Sequence, residues 1–199
     1  MIGVALVAFI TVFASSTAAS FTSYLKQTYS ADIIVGNFGG SIGGQLSAQR
    51  CAEIDKQTYI KYSTCVGTSA VEYTNSPGSF ESKVAIVVDT ENLTKLFTVK
   101  YQGKVEKLNA GEVIISKDIA EDDSVKIGSS IELQGQKASS SFKVVGILEE
   151  SILGPGGNAI VIDNKSLDAI DTPEPASLSM LVVKDGVNAR EVKGKLDTL

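Results

Sequence analysis

The sequence predicts an α+β domain preceded by one apolar N-terminal helix, and three observations lead to this fold class. The first 25 of the 199 residues carry no charged side chain, whereas charged residues make up 21% of the whole chain. From residue 28 onward, short apolar runs typical of strands are mixed with amphipathic segments typical of helices. Between residues 109 and 174 the pattern becomes mostly short strands, which indicates a small β-rich part inserted into the mixed α/β part.

The apolar opening segment, residues 1–27, is long enough for a membrane-spanning helix. About 20 helical residues cross a bilayer core, and residues 1–20 meet this length narrowly. A cleaved signal peptide remains an alternative, because "SSTAAS" at 15–20 resembles a cleavage site, and so does a helix buried in a soluble core. The residues expected to contact lipid or to form a stalk are apolar or aromatic: Val4, Leu6, Val7, Phe9, Ile10, Val12, Phe13, Phe21, Tyr24 and Leu25.

The mixed part begins with a short strand around Ile33 and continues with a predicted helix at 45–57. Leu46 and Ile54 fall on one face of this helix and the charged residues fall elsewhere, which is an amphipathic pattern. The glycine-rich segment 36–44 between them lacks the residues of a phosphate-binding or dinucleotide-binding loop, so we predict an ordinary loop.

Two strands and a short helix are predicted next, at 66–74, 82–90 and 90–97. The continuous apolar run from Val84 to Val88 is typical of a central strand that is buried on both faces. Thr90 is a candidate N-cap for the short helix.

The β-rich part and the last segment contain alternating apolar runs that are broken by turns. The apolar runs predict strands at 111–116, 125–135, 140–148, 159–163 and 176–186, and helices are predicted at 116–123, 164–171 and 188–199. In the last helix, Asn188 and Glu191 have the spacing of a capping box.

Cys51 and Cys65 are the two cysteines of the chain and are 14 positions apart. Cys51 lies in the predicted helix at 45–57, and Cys65 lies just before the predicted strand at 66–74. An even number of cysteines in an exported chain predicts a disulfide, with two free buried thiols as the alternative. Closing a loop of this size would stabilise the fold by about 3 kcal/mol.

Composition excludes several classes of function. The chain has no histidine, which excludes Ser-His-Asp and Cys-His catalysis, and two cysteines cannot form a structural zinc site alone. The net charge of −5 and the absence of a basic stripe argue against nucleic-acid binding. We therefore predict no enzyme activity, no cofactor and no metal.

Two short motifs carry weak signals for chemistry. "SYLK" at 23–26 has the S-x-x-K spacing of serine β-lactamases, but the accompanying motifs are absent. The acidic turn at 118–123 offers oxygen ligands for Ca²⁺ without EF-hand spacing, so a solvated turn is the better interpretation.

The order of these elements closely resembles the extracytoplasmic core domain of MacB-like and FtsX-like ABC transporter permeases. The most specific part is an apolar strand, a short helix with an alanine, a "VKIGSSIEL" step and an "FKVVGI" strand. These correspond here to Val113–Ser116, Ala120, Val125–Leu133 and Phe142–Ile147. The opening segment resembles the first membrane helix of a permease repeat, and the resemblance covers essentially the whole chain.

The resemblance implies a MacB-like periplasmic core domain outside the cytoplasm, attached to the cell membrane by residues 1–27. Residues 28–108 and 175–199 would form a mixed α/β, porter-like subdomain, and residues 109–174 an inserted, mostly-β subdomain. Because the family has no invariant catalytic set, no active-site residue is transferred to this chain. The sequence ends at Leu199, where such permeases continue toward their next membrane helix.

The resemblance also implies a mechanical function. A separate cytoplasmic ABC ATPase would hydrolyse ATP, and the domain would use the resulting movement to displace a substrate outside the membrane. The implied partners are this ATPase, the lipid bilayer, a second permease half or subunit, and an extracytoplasmic substrate or accessory protein, with no nucleic acid. The alternatives are a secreted or anchored binding or adhesion module, and an FtsX-like regulator of a cell-wall hydrolase.

Overall fold

In a computed structural model, the structure describes residues 30–36, 46–74, 80–98, 100–103, 105–149, 159–172 and 174–196. The opening segment that the sequence predicts to span a membrane lies outside these residues, as does most of the glycine-rich segment. Within these seven ranges, no helix is both long and apolar enough to cross a bilayer.

The described residues form one nine-stranded sheet flanked by short helices. The strands are β1 (Ile33–Gly36), β2 (Ile60–Thr74), β3 (Glu81–Val88), β4 (Tyr101–Gln102), β5 (Glu112–Ser116), β6 (Ser130–Gln134), β7 (Ser139–Leu148), β8 (Ala159–Asp163) and β9 (Leu178–Val183). The α-helices are α1 (Ala48–Asp55), α2 (Leu93–Leu96), α3 (Lys117–Asp122), α4 (Asn164–Asp168) and α5 (Ala189–Leu196), and a 3₁₀ turn, Thr90–Asn92, precedes α2.

The strands follow the order β1-β9-β2-β3-β8-β5-β7-β4, and β6 pairs with both β2 and β7. The β3–β8 and β5–β7 pairs are parallel, and the other pairs are antiparallel. β2 is the longest of the described strands; β3 pairs along one of its edges, and β9 and β6 pair with successive parts of the other edge. This strand therefore links the first and last elements of the described chain to the β-rich part.

The sheet buries apolar side chains on both faces, because residues along its central strands alternate between two clusters. Ile115, Ile160 and Val87 belong to one cluster, whereas Ile114 and Val161 belong to the other. A third cluster, which we call the third core, fills the space between the sheet and α1 and α5. Its buried members are Ile33, Ile54, Ile60, Leu181, Val183, Val192 and Leu196.

Four of the helices begin at a side chain that accepts from a free backbone N–H, as expected for N-caps, and at α5 this is Asn188, which accepts from the N–H of Arg190 at 3.0 Å. The hydroxyl of Ser47 accepts from the N–H of Arg50 at 3.1 Å at the start of α1. Ser116 caps α3 and Asp163 caps α4 in the same way. Ser116 and Asp163 are also the last residues of β5 and β8, so each strand ends where the helix starts.

The structure differs from the sequence predictions in several local details; for example, the strand predicted at 125–135 begins only at Ser130. Val84 is 45% exposed rather than buried, because only the second half of β3 is covered on both faces. Cys65 lies inside β2, because pairing with β9 extends this strand back to Ile60. Leu46 lies outside α1 and forms an isolated bridge with Ala176, because the helix begins only after Ser47.

Strand pairing crosses the boundaries of the predicted subdomains. β3, from the mixed part, pairs with β8, from the β-rich part, over five residue pairs, Val84↔Ala159 to Val88↔Asp163. β2 pairs with β6 over three residue pairs. The division into segments 28–108 with 175–199 and 109–174 stays a prediction.

Candidate functional site: the first and last elements of the described chain

The first strand and the last helix of the described chain lie beside each other. A groove of about 470 Å³ separates them, lined on one side by Asp32 and all of β1, and on the other by Ala189, Arg190, Lys193 and Leu196 of α5. We call this space the β1–α5 groove. The first and last elements of the described chain therefore flank one groove.

β1 is an edge strand that is anchored mainly through β9. Its four residues pair with Leu178–Leu181 in antiparallel register. The Asp32 N–H donates to the Leu181 carbonyl at 2.9 Å, and the Asp32 carboxylate accepts from the Val183 N–H at 2.9 Å. The N–H of Ser30 donates to the carbonyl of Leu96 at 2.9 Å. A short strand is thus held by hydrogen bonds before and along its length.

Alternate side chains of β1 enter different clusters. Ile33 and Val35 pack in the third core, whereas Ile34 packs against the cluster that contains Val161. At Gly36, an added Cβ would lie 2.8 Å from the Cβ of Leu178, so the two backbones approach each other too closely for a side chain. β1 therefore cannot shift without disturbing both faces of the sheet.

α5 packs on the same third core through Val192 and Leu196, which are 1% and 4% exposed. The guanidinium of Arg50, on α1, donates from Nη2 to the carbonyl of Leu196 at 3.0 Å and so satisfies a carbonyl at the C-terminal end of α5. The third core therefore joins β1, α5 and α1 into one packed unit.

A second cavity, a cleft of about 550 Å³, lies between α1 and β2. Both cysteines line it and form a disulfide, with an S–S distance of 2.09 Å and a Cα–Cα distance of 6.1 Å. The charged side chains among its described lining residues are all acidic: Asp55, Asp89 and Glu174. Asp55 also accepts a short hydrogen bond from the hydroxyl of Ser63 on β2. The disulfide and this hydrogen bond fix α1 against β2.

A buried polar contact attaches β2 to the segment that follows α4. The Ser69 hydroxyl donates to the Asp171 carboxylate at 3.1 Å, and Asp171 is only 3% exposed. The second carboxylate oxygen accepts from the N–H of Thr172 at 2.7 Å. The ammonium of Lys137, in the β6–β7 turn, donates to the Asp171 carbonyl at 2.7 Å. Three separate parts of the chain thus meet at Asp171, β2 at its carboxylate and the β6–β7 turn at its backbone carbonyl.

The phenol of Tyr73 on β2 has a strongly perturbed pKa. Burial raises this pKa well above its ordinary value of 10, and the nearby carboxylates of Asp123 and Glu81 raise it further. The hydroxyl has no partner in hydrogen-bond geometry among the described residues, so we assign the effect of Asp123 to its charge. The Lys83 ammonium lies 5.9 Å from the centroid of the Tyr73 ring and forms an ion pair with Glu81 at 2.7 Å.

The predicted site residues have different outcomes. Cys51 and Cys65 are joined, whereas the lipid-contacting and stalk residues between 4 and 25 lie outside the described residues. In the acidic turn, Glu121 forms an exposed ion pair with Lys117 at 3.4 Å. No three His, Cys, Asp or Glu side chains of the described ranges are grouped closely enough to hold a metal.

Sequence reasoning missed the residues that organise this region, chiefly Asp32, Arg50 and Asp171. Each acts on a partner more than 100 positions away, at Val183, Leu196 and Ser69. The available signal was weak. Asp32 is a charged residue directly before an apolar strand, and Asp171 is an acidic residue next to the segment 172–175, which contains two prolines.

Comparison with known proteins identifies the domain. The sequence profile of the MacB-like periplasmic core domain matches residues 1–199. The chain belongs to this family. The family consists of periplasmic domains of MacB/FtsX-like ABC transporter permeases, and the role of such domains is non-enzymatic. Permease domains of this family work with cytoplasmic ABC ATPases.

Solved structures of MacB-like domains have the same fold. The periplasmic region of MacB from Actinobacillus actinomycetemcomitans is similar with a TM-score of 0.63 and 16% identity, over 82% of this chain and 78% of that chain. The extracellular domain of the noncanonic ABC-type transporter YknZ from Gram-positive bacteria is similar with a TM-score of 0.54 and 14% identity, over 75% of this chain and 78% of that chain. None of the curated proteins matches the chain.

Proposed function

We propose that this domain couples ATP hydrolysis by a separate cytoplasmic ATPase to the movement of a substrate outside the membrane. The observation that carries the proposal is the arrangement of β1 and α5, which pack on one shared third core. In a MacB-like permease these two elements would be attached to membrane helices. A relative movement of those helices would therefore act on a single packed unit.

The direction of transmission follows from the sheet order. β1 pairs with β9, β9 pairs with β2, and β2 pairs with β3 and β6. A displacement of β1 would pass through hydrogen-bonded strands to the β-rich part without crossing a loop. Hydrogen-bonded strands and packed cores transmit displacement, because they shift between discrete arrangements instead of deforming continuously.

The opening segment would provide the other half of this path. If residues 1–27 form one helix, this helix is about 40 Å long at 1.5 Å per residue. Its apolar residues would lie in the bilayer, and Tyr24 would lie near the interface, where aromatic rings are favoured. A second permease half or subunit would complete the transporter. The two proposed subdomains, 28–108 with 175–199 and 109–174, would be the parts that move.

The proposal is tested with the full chain reconstituted in membranes together with the ATPase that co-purifies with it. Hydrogen exchange of residues 30–36 and 189–196 is compared without nucleotide and with nucleotide trapped by vanadate. We expect exchange in both segments to change on trapping. A Gly-Ser-Gly-Ser insertion between residues 27 and 28 should abolish this change while ATP hydrolysis continues.

A matched insertion of four alanines at the same position serves as the control, because alanine continues a helix and Gly-Ser interrupts it. The alanine variant should retain most of the nucleotide-dependent change. An unchanged response in the Gly-Ser variant, or the absence of any co-purifying ATPase, would overturn the proposal.

A further inference from the structure

The β1–α5 groove carries positive charge on an acidic protein. The chain has a net charge of −5, yet residues 184–196 contain four cationic and two anionic side chains. Arg190 and Lys193 line the groove, are exposed, and form no ion pair within the described ranges. The lining contains one carboxylate, that of Asp32, which also accepts the N–H of Val183. Two cations thus face one carboxylate among the described lining residues, so cationic side chains outnumber anionic ones in this part of the groove.

Helix electrostatics explain only part of this charge. Cations in the last turn of a helix interact favourably with its dipole, and Lys193 and Lys195 occupy the last turn of α5. Arg190 is different, because it is the second residue of α5, where the helix dipole disfavours a cation. An anion outside the protein would explain why a guanidinium is placed there.

The groove also has apolar walls. Val35 is only partly buried and lines the groove together with Leu196, and both pack in the third core, whereas the Ile34 side chain packs on the other face of the sheet. A small inorganic anion would gain nothing from these side chains. An anionic ligand with attached hydrocarbon would contact the apolar wall and the cations together, with Arg190 able to bind two phosphate oxygens at once.

We infer that the β1–α5 groove binds the phosphate-bearing headgroup of an anionic phospholipid in the extracytoplasmic leaflet. The inference rests on the proposed function, which places the membrane segments directly before β1 and after α5 and so places the groove against the bilayer. Arg190 and Lys193 would hold the phosphate, and Val35 would contact the glycerol and the upper acyl chain. The lipid would thereby tie the two moving elements to the membrane surface.

The test uses the full chain in a nonionic detergent, with lipid binding measured by native mass spectrometry. Dissociation constants are measured for phosphatidylglycerol and for phosphatidylcholine with identical acyl chains. We expect the wild type to prefer phosphatidylglycerol. The R190Q/K193Q variant should bind phosphatidylglycerol about 30-fold more weakly, because each cation near a membrane surface strengthens anionic lipid binding about fivefold, and its affinity for phosphatidylcholine should not change.

Two control variants separate the groove from general charge. R190K/K193R keeps both charges and should stay within about threefold of the wild type, since only bidentate geometry changes. K126Q/K165Q removes two exposed cations from other surfaces and should retain the preference in full. A wild type without lipid preference, or an equal loss in K126Q/K165Q, would overturn the inference.

Competition experiments distinguish the lipid from other anions. Excess glycerol 3-phosphate should fail to displace phosphatidylglycerol, and displacement would indicate a site for free phosphate esters instead. Displacement by hexaglutamate would indicate an acidic peptide as the occupant, and either result contradicts the lipid. Carbonate extraction of membranes tests the underlying function separately. Release of the chain there refutes membrane attachment itself, whereas retention without lipid preference refutes only the headgroup site.

Discussion

The carboxylate of Asp32 accepts a hydrogen bond from the backbone N–H of Val183, with 2.9 Å between Oδ2 and N. Asp32 stands just before β1, and Val183 is the last residue of β9. The contact therefore ties the start of the edge strand to the end of its only ladder partner among the described strands. This side-chain contact lies where the proposed movement of the membrane helix would enter β1.

We expect Asp32→Ala to weaken the attachment of β1 more than the rest of the fold. Losing one partly exposed hydrogen bond costs about 0.5–1.5 kcal/mol of the free energy of unfolding. Hydrogen exchange of residues 30–36 should become faster, while exchange in β5 and β8 should change little. Asp122→Ala is the matched control, because Asp122 is exposed on α3 and should change stability by less than about 0.5 kcal/mol. Unchanged exchange in β1 would contradict the anchoring role.

The disulfide between Cys51 and Cys65 should be a major contribution to stability. It closes a loop with a sequence separation of 14, and such a crosslink stabilises by about 3 kcal/mol through the unfolded chain. α1 has eight residues and only Ile54 is buried in it, so little else holds the helix on β2. The C51S/C65S variant should therefore unfold at clearly lower urea concentration and should expose α1 to proteolysis. Equal midpoints for the oxidised and reduced protein would contradict this prediction.

The buried Asp171 carboxylate should be costly to remove. Asp171→Ala leaves the Ser69 hydroxyl and the Thr172 N–H without their acceptor, and we expect a loss of about 2–3 kcal/mol in the free energy of unfolding. Ser69→Ala removes one donor and should cost about 1 kcal/mol. A double-mutant cycle of these two changes should give a coupling energy above about 0.5 kcal/mol. Additive losses would indicate that the two side chains stabilise the protein independently.

How much of this fold could be predicted from sequence depends on the range of the interactions. The strands around Ile115, Val144 and Ile160 follow from local apolar runs, because the period of a strand is set within a few residues. Periodicity also predicts the helix at 45–57, but it does not predict the start of this helix, since the helix begins only after the cap at Ser47.

Interactions between distant segments could not be predicted in the same way. The parallel pairing of β3 with β8 brings together strands some 75 positions apart, and nothing in either strand specifies the other. The Asp32–Val183 and Ser69–Asp171 contacts span 151 and 102 positions. The sequence prediction places Cys65 outside its strand, because only the pairing with β9 extends β2 back to Ile60. The β1–α5 groove arises from such pairings, and no local pattern predicts it.

We expect the free energy of unfolding to fall at alkaline pH because of the Tyr73 phenol. Burial raises the pKa of this phenol well above 10 in the folded protein, whereas the unfolded chain has the ordinary value. Below pH 10 both states keep the proton, and the contribution of Tyr73 to stability is complete. Above pH 10 the unfolded state loses its proton while the folded state retains it, so stability falls by about 1.4 kcal/mol per pH unit.

Comparison with Tyr73→Phe isolates this effect, because phenylalanine keeps the ring and removes the ionisable group. The free energies of unfolding of wild type and Y73F are measured by urea denaturation between pH 8 and about 11.5. We expect a constant difference up to pH 10 and a growing relative advantage of Y73F above it. Tyr62→Phe, at a half-buried position on the same strand, should retain the alkaline loss. A constant difference between wild type and Y73F across the whole range would show that the Tyr73 phenol ionises equally in both states, and would contradict the raised pKa expected from its burial between β3 and β6.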